Sequence, residues 1–141
     1  MDRSAWLKAA AALSFLMAAG QAVISVWPAA AAHLQAPPGL LDDRVRLLLV
    51  GGAAALIPLV LGLYALSGAG VIRRLPLLRT VLVGVGSVFL LRGLFIIFTV
   101  LTALGILEGR ILLLGVGSHL VFLAAGLLFL GGAALNWKAL S

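Results

Sequence analysis

Residues 77–104 read LLRTVLVGVGSVFLLRGLFIIFTVLTAL and indicate the class of fold. This stretch is apolar throughout, except for Arg79, Arg92 and a few hydroxyl side chains. A transmembrane helix needs about 20 mostly apolar residues, each rising roughly 1.5 Å along the axis. We therefore expect this stretch to span a membrane as a helix, with Arg92 near the middle of the bilayer.

The composition extends this interpretation to the whole chain. Its 141 residues are 64% hydrophobic and 10% charged, with a mean hydropathy of +1.26. Soluble domains have roughly a quarter of their residues charged, and disordered chains have low hydrophobicity, so both classes are excluded. The chain has no cysteine, which excludes disulfides, thiolate metal sites, iron–sulfur clusters and cysteine nucleophiles.

Three further stretches have the same length and apolar content. They cover residues 5–27, 47–66 and 111–135. They are rich in Leu, Ala, Gly and Val without strict alternation, which favours helices over the strands of a barrel. The sequence thus predicts an all-α, polytopic membrane protein with four transmembrane helices in a single domain, residues 1–141.

The first span has an alternative interpretation as a secretory signal peptide. Arg3 and Lys8 form a basic start, an apolar run follows, and Ala30–Ala32 offers small residues for cleavage. Because the apolar run is long enough to cross the bilayer, we expect it to be retained as a helix. Cleavage would leave three helices.

Turn and cap residues separate the spans. Asp42 or Asp43 is suited to cap the second helix, and a glycine of Ser67–Gly70 to end it in the left-handed conformation. Pro76 suits the first turn of the third helix. The turn before the fourth helix is bracketed by Gly105 and Gly109, with Glu108 as a cap.

The basic residues predict the orientation. Six lie on one side of the predicted topology: Arg3, Lys8, Arg73, Arg74, Arg79 and Lys138. The other side has three, accompanied by three acids: Arg44, Arg46 and Arg110, with Asp42, Asp43 and Glu108. Loops rich in Lys and Arg stay in the cytoplasm, so we expect both termini there.

We expect Arg73, Arg74 and Arg79 to contact anionic headgroups or a cytoplasmic partner. The net charge of +6 follows from this pattern and does not indicate nucleic-acid binding.

Two halves of the chain align with each other. Arg46–Gly51 in the second span matches Arg110–Gly115 in the fourth at an offset of 64 residues, and the first and third spans align at an offset of 71. These matches predict a parallel two-helix repeat related by an axis along the membrane normal. Shared membrane composition is the alternative explanation.

Small residues recur on one face of two spans. They are Gly51, Ala55 and Gly62 on the second span and Gly115 and Gly126 on the fourth. Small side chains let helix backbones approach closely where lipid gives no hydrophobic drive. We expect these faces to pack the bundle; packing against a larger membrane partner is the alternative.

Arg92 is the most informative single residue. A guanidinium at the centre of a membrane helix costs roughly 2.5–3.5 kcal/mol on insertion scales, and it does not deprotonate. The four acids, Asp2, Asp42, Asp43 and Glu108, all lie outside the spans. The partners of Arg92 are therefore carbonyls, hydroxyls, an amide, water or a bound anion. The alternative is a structural arginine that binds carbonyls or extends to the interface.

Few polar side chains are available to surround Arg92. Gln21, Thr99, Ser118 and His119 are the predicted ligand-binding set with it, converging in the outer half of the bundle. For Gln21 and His119 an interhelical hydrogen bond is the alternative role. A lone histidine without Cys, Asp or Glu nearby is a poor metal or haem site, so no metal and no cofactor are expected.

The residues that carry enzyme chemistry are sparse. Ser118 and His119 are adjacent on a helix and point in different directions, so they do not form a nucleophile–base pair. The sequence has no glycine-rich phosphate loop and no metalloprotease motif. A membrane enzyme is therefore the third hypothesis, and no catalytic residue is assigned.

The stretch Gly62–Arg79, continuing to Leu91-Arg92-Gly93, resembles small four-helix bacterial inner-membrane proteins to which no activity is assigned. The resemblance covers about a quarter of the chain. It implies a four-helix topology in the bacterial inner (plasma) membrane, and little about function.

Two functional hypotheses follow. In the first, the protein binds or transports a small anionic or lipidic ligand at a polar intramembrane site around Arg92. In the second, it is a structural or accessory subunit that packs against a larger membrane partner. Its expected partners are membrane lipids and either further copies of itself or a larger membrane complex.

Overall fold

A computed structural model of the chain describes residues 3–27, 29, 39, 42–106 and 113–140, and no strand occurs among them. Five helices have their bounds within this part of the chain: α1 Arg3–Val26, α2 Arg44–Gly68, α3 Leu78–Leu94, α4 Ile96–Ala103 and α5 Leu113–Leu135. The expected all-α class is confirmed. Glu108, Gly109 and the Ala30–Ala32 stretch lie outside the described residues.

Four helical stretches are long and apolar enough to cross a membrane: Ser4–Val26, Arg44–Gly68, Leu78–Ala103 and Val116–Leu135. Each lies within one of the four predicted spans or exceeds it by less than a helical turn. Only 17% to 28% of each apolar window is buried inside the chain. Most of the apolar side chains are therefore outward-facing, an arrangement that marks a surface for lipid or protein rather than water.

The ends of α2 follow the predicted cap chemistry. Oδ1 of Asp43 accepts hydrogen bonds from the backbone N–H groups of Val45 at 3.0 Å and Arg46 at 3.1 Å, so Asp43 is the N-cap. At the other end Gly70 has φ of +73°, and the N–H of Val71 donates to the carbonyl of Leu66 at 3.0 Å. That geometry is a Schellman motif, which satisfies carbonyls left open at a helix end.

The start of α3 differs from expectation. Pro76 lies in the turn before the helix, and Leu77 occupies the N-cap position with φ of +55°. A left-handed leucine is uncommon because its Cβ crowds the backbone. Leu77 reverses the chain here, so the helix begins at Leu78, later than Pro76 alone indicates.

The third predicted span is confirmed as the helical stretch Leu78–Ala103, which has a local break in its hydrogen bonding at Phe95. α3 ends at Leu94 and α4 begins at Ile96, while Phe95 keeps right-handed helical dihedral angles and its carbonyl accepts from the N–H of Phe98 at 3.1 Å. The sequence around the break combines Gly93 with β-branched Ile96 and Ile97, which lowers the local helix propensity. Arg92 lies directly before this break.

The chain divides into two compact units, Met1–Ala10 with Tyr64–Ser141, and Ala11–Leu63. In the second unit, α2 approaches α1 through glycines: a Cβ on Gly62 would lie 2.6 Å from the ring of Phe15, and one on Gly51 would meet the side chain of Ser25. These glycines thus have the close-packing role expected of them.

In the first unit, α3 packs against α5. A Cβ on Gly93 would lie 2.5 Å from the backbone of Leu123, and one on Gly126 would lie 2.5 Å from the backbone nitrogen of Leu90. The fully buried side chains of this unit include Leu7, Leu82 and Phe129. Glycine-mediated contact between α3 and α5 therefore sets how the side chains of these two helices are aligned near Arg92.

Candidate functional site

Arg92 lies at the middle of the candidate span Leu78–Ala103. At about 1.5 Å per residue, it is roughly 21 Å from the start of this stretch and roughly 16 Å from its end. Its neighbour Gly93 is buried against Leu123, whereas the Arg92 side chain is exposed. Arg92 is therefore exposed directly beside a point where the backbones of α3 and α5 come close together.

The polar partner of Arg92 is on α5. Nη1 of Arg92 lies 3.4 Å from Nδ1 of half-buried His119. A guanidinium has donors and no acceptor, so the nitrogen of His119 must accept. We assign His119 as a neutral imidazole with its proton on Nε2, since this is the tautomer that makes Nδ1 an acceptor.

Phenylalanine rings line the guanidinium. Its Cζ atom lies 5.6 Å from the ring centroid of Phe122 and 5.9 Å from that of Phe95, within the range of a cation–π interaction. Phe122 packs edge-on against Phe89 at 5.4 Å, and Phe89 packs against buried Phe129 at 6.0 Å. A continuous row of rings thus connects the exposed cation to the core of its unit.

The helical spacing explains why these groups meet. Phe89 and Phe95 lie three residues before and after Arg92, and Phe122 lies three residues after His119, so each ring shares a helix face with a polar group or lies close to it. Gly93 faces Leu123 and Gly126 faces Leu90, so α3 and α5 run antiparallel. This register brings the two faces together.

Phe95 and Phe122 were not among the site residues predicted from the sequence. The signal was a phenylalanine three residues after each polar group, Arg92 and His119. Sequence spacing alone does not show that these side chains touch, because the contact also depends on how α3 is aligned along α5.

The other predicted ligand-binding residues are placed as follows. Ser118 is half-buried beside His119 on α5, and Thr99 is half-buried on α4 beyond the break at Phe95. Gln21 belongs to the unit Ala11–Leu63, where its backbone carbonyl accepts the hydroxyl of Ser25 at 2.7 Å. Among the described residues, the hydrogen bond of the Arg92 side chain is made to His119.

The charges of the described residues leave Arg92 without a carboxylate. Asp43 forms an ion pair with Arg46 at 3.6 Å, and this pair is exposed at the start of α2. Arg92 is thus a cation surrounded by aromatic faces and a neutral imidazole. An imidazole solvates a guanidinium without neutralising it, so the site retains a positive charge that attracts an anion.

A second group of basic residues lies at the start of α3. Nη2 of Arg79 donates to the backbone carbonyl of Trp137 at 2.7 Å, and its Cζ lies 4.7 Å from the Trp137 ring centroid. Arg74 and Arg79 line one cleft of about 240 Å³, whereas Arg73 is exposed in the same loop and does not line it. Of the three predicted headgroup contacts, two therefore share a concave surface.

The comparisons with known proteins add no further constraint. No family model, curated protein or solved structure matches this chain. Within the described residues, no group of three or more His, Cys, Asp or Glu side chains is placed to hold a metal ion. The functional assignment therefore depends on the geometry around Arg92.

Proposed function

We propose that this chain is a multi-pass membrane protein that binds or transports a small anionic or lipidic ligand at Arg92 and His119. The observation that carries the proposal is the exposed guanidinium of Arg92 at mid-span, hydrogen-bonded to an imidazole and not to a carboxylate. An unpaired arginine at the centre of a membrane helix costs roughly 2.5–3.5 kcal/mol. A bound anion would offset that cost by neutralising the charge.

The surroundings of Arg92 favour an amphiphile with one acidic group. A guanidinium presents a planar fork of donors that matches a carboxylate or a phosphate. Exposed apolar side chains flank it, among them Val88, Leu91 and Phe95. The acidic group would contact the guanidinium while an acyl chain covers these side chains. Ser118 and Thr99 remain proposed polar contacts of the same ligand.

The second candidate function is that of an accessory subunit. Its supporting observation is that the exposed face around Arg92 also suits an apolar helix with one carboxylate, since intramembrane charges pair with each other. The acids of this chain, Asp2, Asp42, Asp43 and Glu108, all lie outside the candidate spans. Another copy of the chain would therefore supply no mid-span carboxylate, and the partner in this case is a different membrane protein. Self-association would use other faces.

The proposed location is the bacterial inner membrane, with both termini in the cytoplasm. The support is the excess of Lys and Arg at the termini and in the loop that contains Arg73, Arg74 and Arg79. The ligand-binding residues would then lie in the half of the bilayer away from that loop.

The proposed two-helix repeat gains support from one pair of equivalent contacts. At offsets of 64 and 71 residues, Gly62 corresponds to Gly126 and Phe15 corresponds to Gly86. Gly62 packs on the ring of Phe15, and a Cβ on Gly126 would lie 3.0 Å from the backbone oxygen of Gly86. Gly126 thus lies close to the residue equivalent to Phe15, and its nearest neighbour is the backbone of Leu90.

Native mass spectrometry of the purified, delipidated chain tests the proposed function. The probes are a long-chain fatty acid and phosphatidylglycerol, and the variants are Arg92→Leu and the matched control Arg44→Leu, which removes an exposed arginine at the start of α2. We expect one retained anionic amphiphile per chain in the wild type and in Arg44→Leu, and none in Arg92→Leu. Equal retention by Arg92→Leu would overturn the proposal. If the purified wild-type chain instead retains a second, different membrane protein and no amphiphile, the result would support the accessory-subunit function.

A further inference from the structure

The cleft at the start of α3 combines charge, a hydroxyl and an apolar wall. Its volume is about 240 Å³, and its lining residues are Arg74, Leu75, Leu77, Leu78, Arg79, Thr80 and Leu140. Leu77 is 75% exposed, and Leu140 is buried. A concave surface with a few convergent polar groups among apolar ones is typical of a ligand site.

The two guanidinium groups of the cleft differ in how they are held. Arg79 is half-buried, and its contacts with the carbonyl and ring of Trp137 fix its direction. Arg74 is exposed, and its loop is tied to α2 because the Ser67 hydroxyl accepts from the N–H of Leu75 at 2.9 Å. Each guanidinium has five donor hydrogens, so a bond to the protein leaves capacity for a ligand. The cleft therefore has preorganised cationic donors.

We infer that this cleft is a specific site for a phosphate group, beyond the general attraction of basic loops to membranes. Two arginines suit an anion with more than one negative oxygen, and arginine binds phosphate through paired N–H donors. The Thr80 hydroxyl lines the same cleft as a further donor. The cleft also lies at the N-terminal end of α3, whose partial positive charge adds to that of the arginines.

The phosphate could come from a lipid headgroup or from free phosphate. Leu77, which is 75% exposed in front of buried Leu78 and Leu140, would contact the glycerol and first methylenes of a lipid, whereas inorganic phosphate has no apolar part to place there. The site is separate from Arg92, which lies 13 residues farther along the chain, or about 20 Å along a helix. A variant that abolishes binding at Arg92 thus still allows phosphate binding in the cleft to be measured, and the reverse also holds.

Fluorescence of Trp137 gives a direct readout, because its ring stacks on Arg79. The full chain with Trp6→Phe and Trp27→Phe has Trp137 as its one tryptophan. In neutral micelles, we expect phosphatidic acid to change this fluorescence saturably and phosphatidylcholine to leave it unchanged. Competition by inorganic phosphate distinguishes the sources: equal potency identifies free phosphate as the ligand, and weaker competition identifies the lipid.

Two variants separate a site from general charge attraction. Arg74→Gln should weaken phosphatidic acid binding about fivefold, since one basic residue near an anionic headgroup contributes roughly 1 kcal/mol. Arg73→Gln removes the same charge from the same loop outside the cleft and should have a smaller effect. Equal losses in both variants, or equal binding of phosphatidylcholine, would overturn the inference. Because Arg74 is exposed, its variant does not depend on the packing of Arg79 against Trp137.

Discussion

Nη1 of Arg92 lies 3.4 Å from Nδ1 of His119, so α3 and α5 are joined at mid-span by a permanent cation and an imidazole. The guanidinium has no acceptor, so Nδ1 of His119 accepts in this hydrogen bond. His119 therefore orients Arg92 without satisfying its charge.

Replacement of His119 tests this orienting role. His119→Leu should weaken binding of a fatty-acid anion about fivefold, because loss of one hydrogen bond to the guanidinium is worth about 1 kcal/mol. His119→Gln retains an acceptor and should preserve most of the affinity. Titration by native mass spectrometry measures both variants; equal affinities of His119→Leu and His119→Gln would contradict the role.

The packing of α3 on α5 predicts a contrast between two glycines of one helix. Gly93→Ala should destabilise the chain by about 1–3 kcal/mol, because the new Cβ would lie 2.5 Å from the backbone of Leu123. Gly84 has nothing within 4 Å of the same position, so Gly84→Ala should be neutral or stabilise by up to about 1 kcal/mol. Thermal unfolding in detergent compares them, and similar melting temperatures would argue against this register.

Replacing each of two buried serines with alanine should have different effects on the free energy of unfolding. The Ser67 hydroxyl donates to the carbonyl of Arg73 at 3.1 Å and accepts from the N–H of Leu75, so Ser67→Ala should cost about 1–3 kcal/mol. The Ser14 hydroxyl has no hydrogen-bond partner among the described residues, so Ser14→Ala should be neutral or stabilising. Unfolding free energies in mixed micelles provide the measurement, and a larger loss for Ser14→Ala would reverse the prediction.

The proposed orientation predicts which side of the membrane is accessible to reagents. The chain has no cysteine, so Ser4→Cys and Lys138→Cys each introduce a single reactive thiol. In intact cells, a membrane-impermeant thiol reagent should leave both unlabelled. Changing Arg73, Arg74 and Arg79 together to Glu should disturb this protection, because the cytoplasmic positive charge is lost. Labelling of either thiol in the unaltered background would place that terminus outside.

The two ends of α2 could be predicted from the sequence because each depends on a few adjacent residues. Asp43 caps α2, and Gly70 ends it in the left-handed conformation. The left-handed Leu77 was not predicted, because an unbranched leucine carries no signal for that conformation. The span Leu78–Ala103 was predicted from its apolar content, whereas the local break at Phe95 was not, because apolar content does not report local hydrogen bonding.

The site itself was accessible only in part. The cost of a mid-span guanidinium and the absence of acids from the spans identified Arg92 from the sequence alone. The contacts of Arg92 with His119 and Phe122 join residues that are far apart in the chain. They depend on how α3 and α5 are aligned along each other. Glycines permit several registers, so their spacing does not select one.

Solid-state NMR in bilayers would detect contact between Arg92 and an anionic ligand, by measuring dipolar coupling between isotope-labelled arginine side chains and a labelled carboxylate of a bound fatty acid. The proposal predicts a coupling that reports direct contact in the wild-type chain and in Arg44→Leu, and its loss in Arg92→Leu. A coupling of the same size in Arg92→Leu, or none in the wild type at saturating fatty acid, would contradict it.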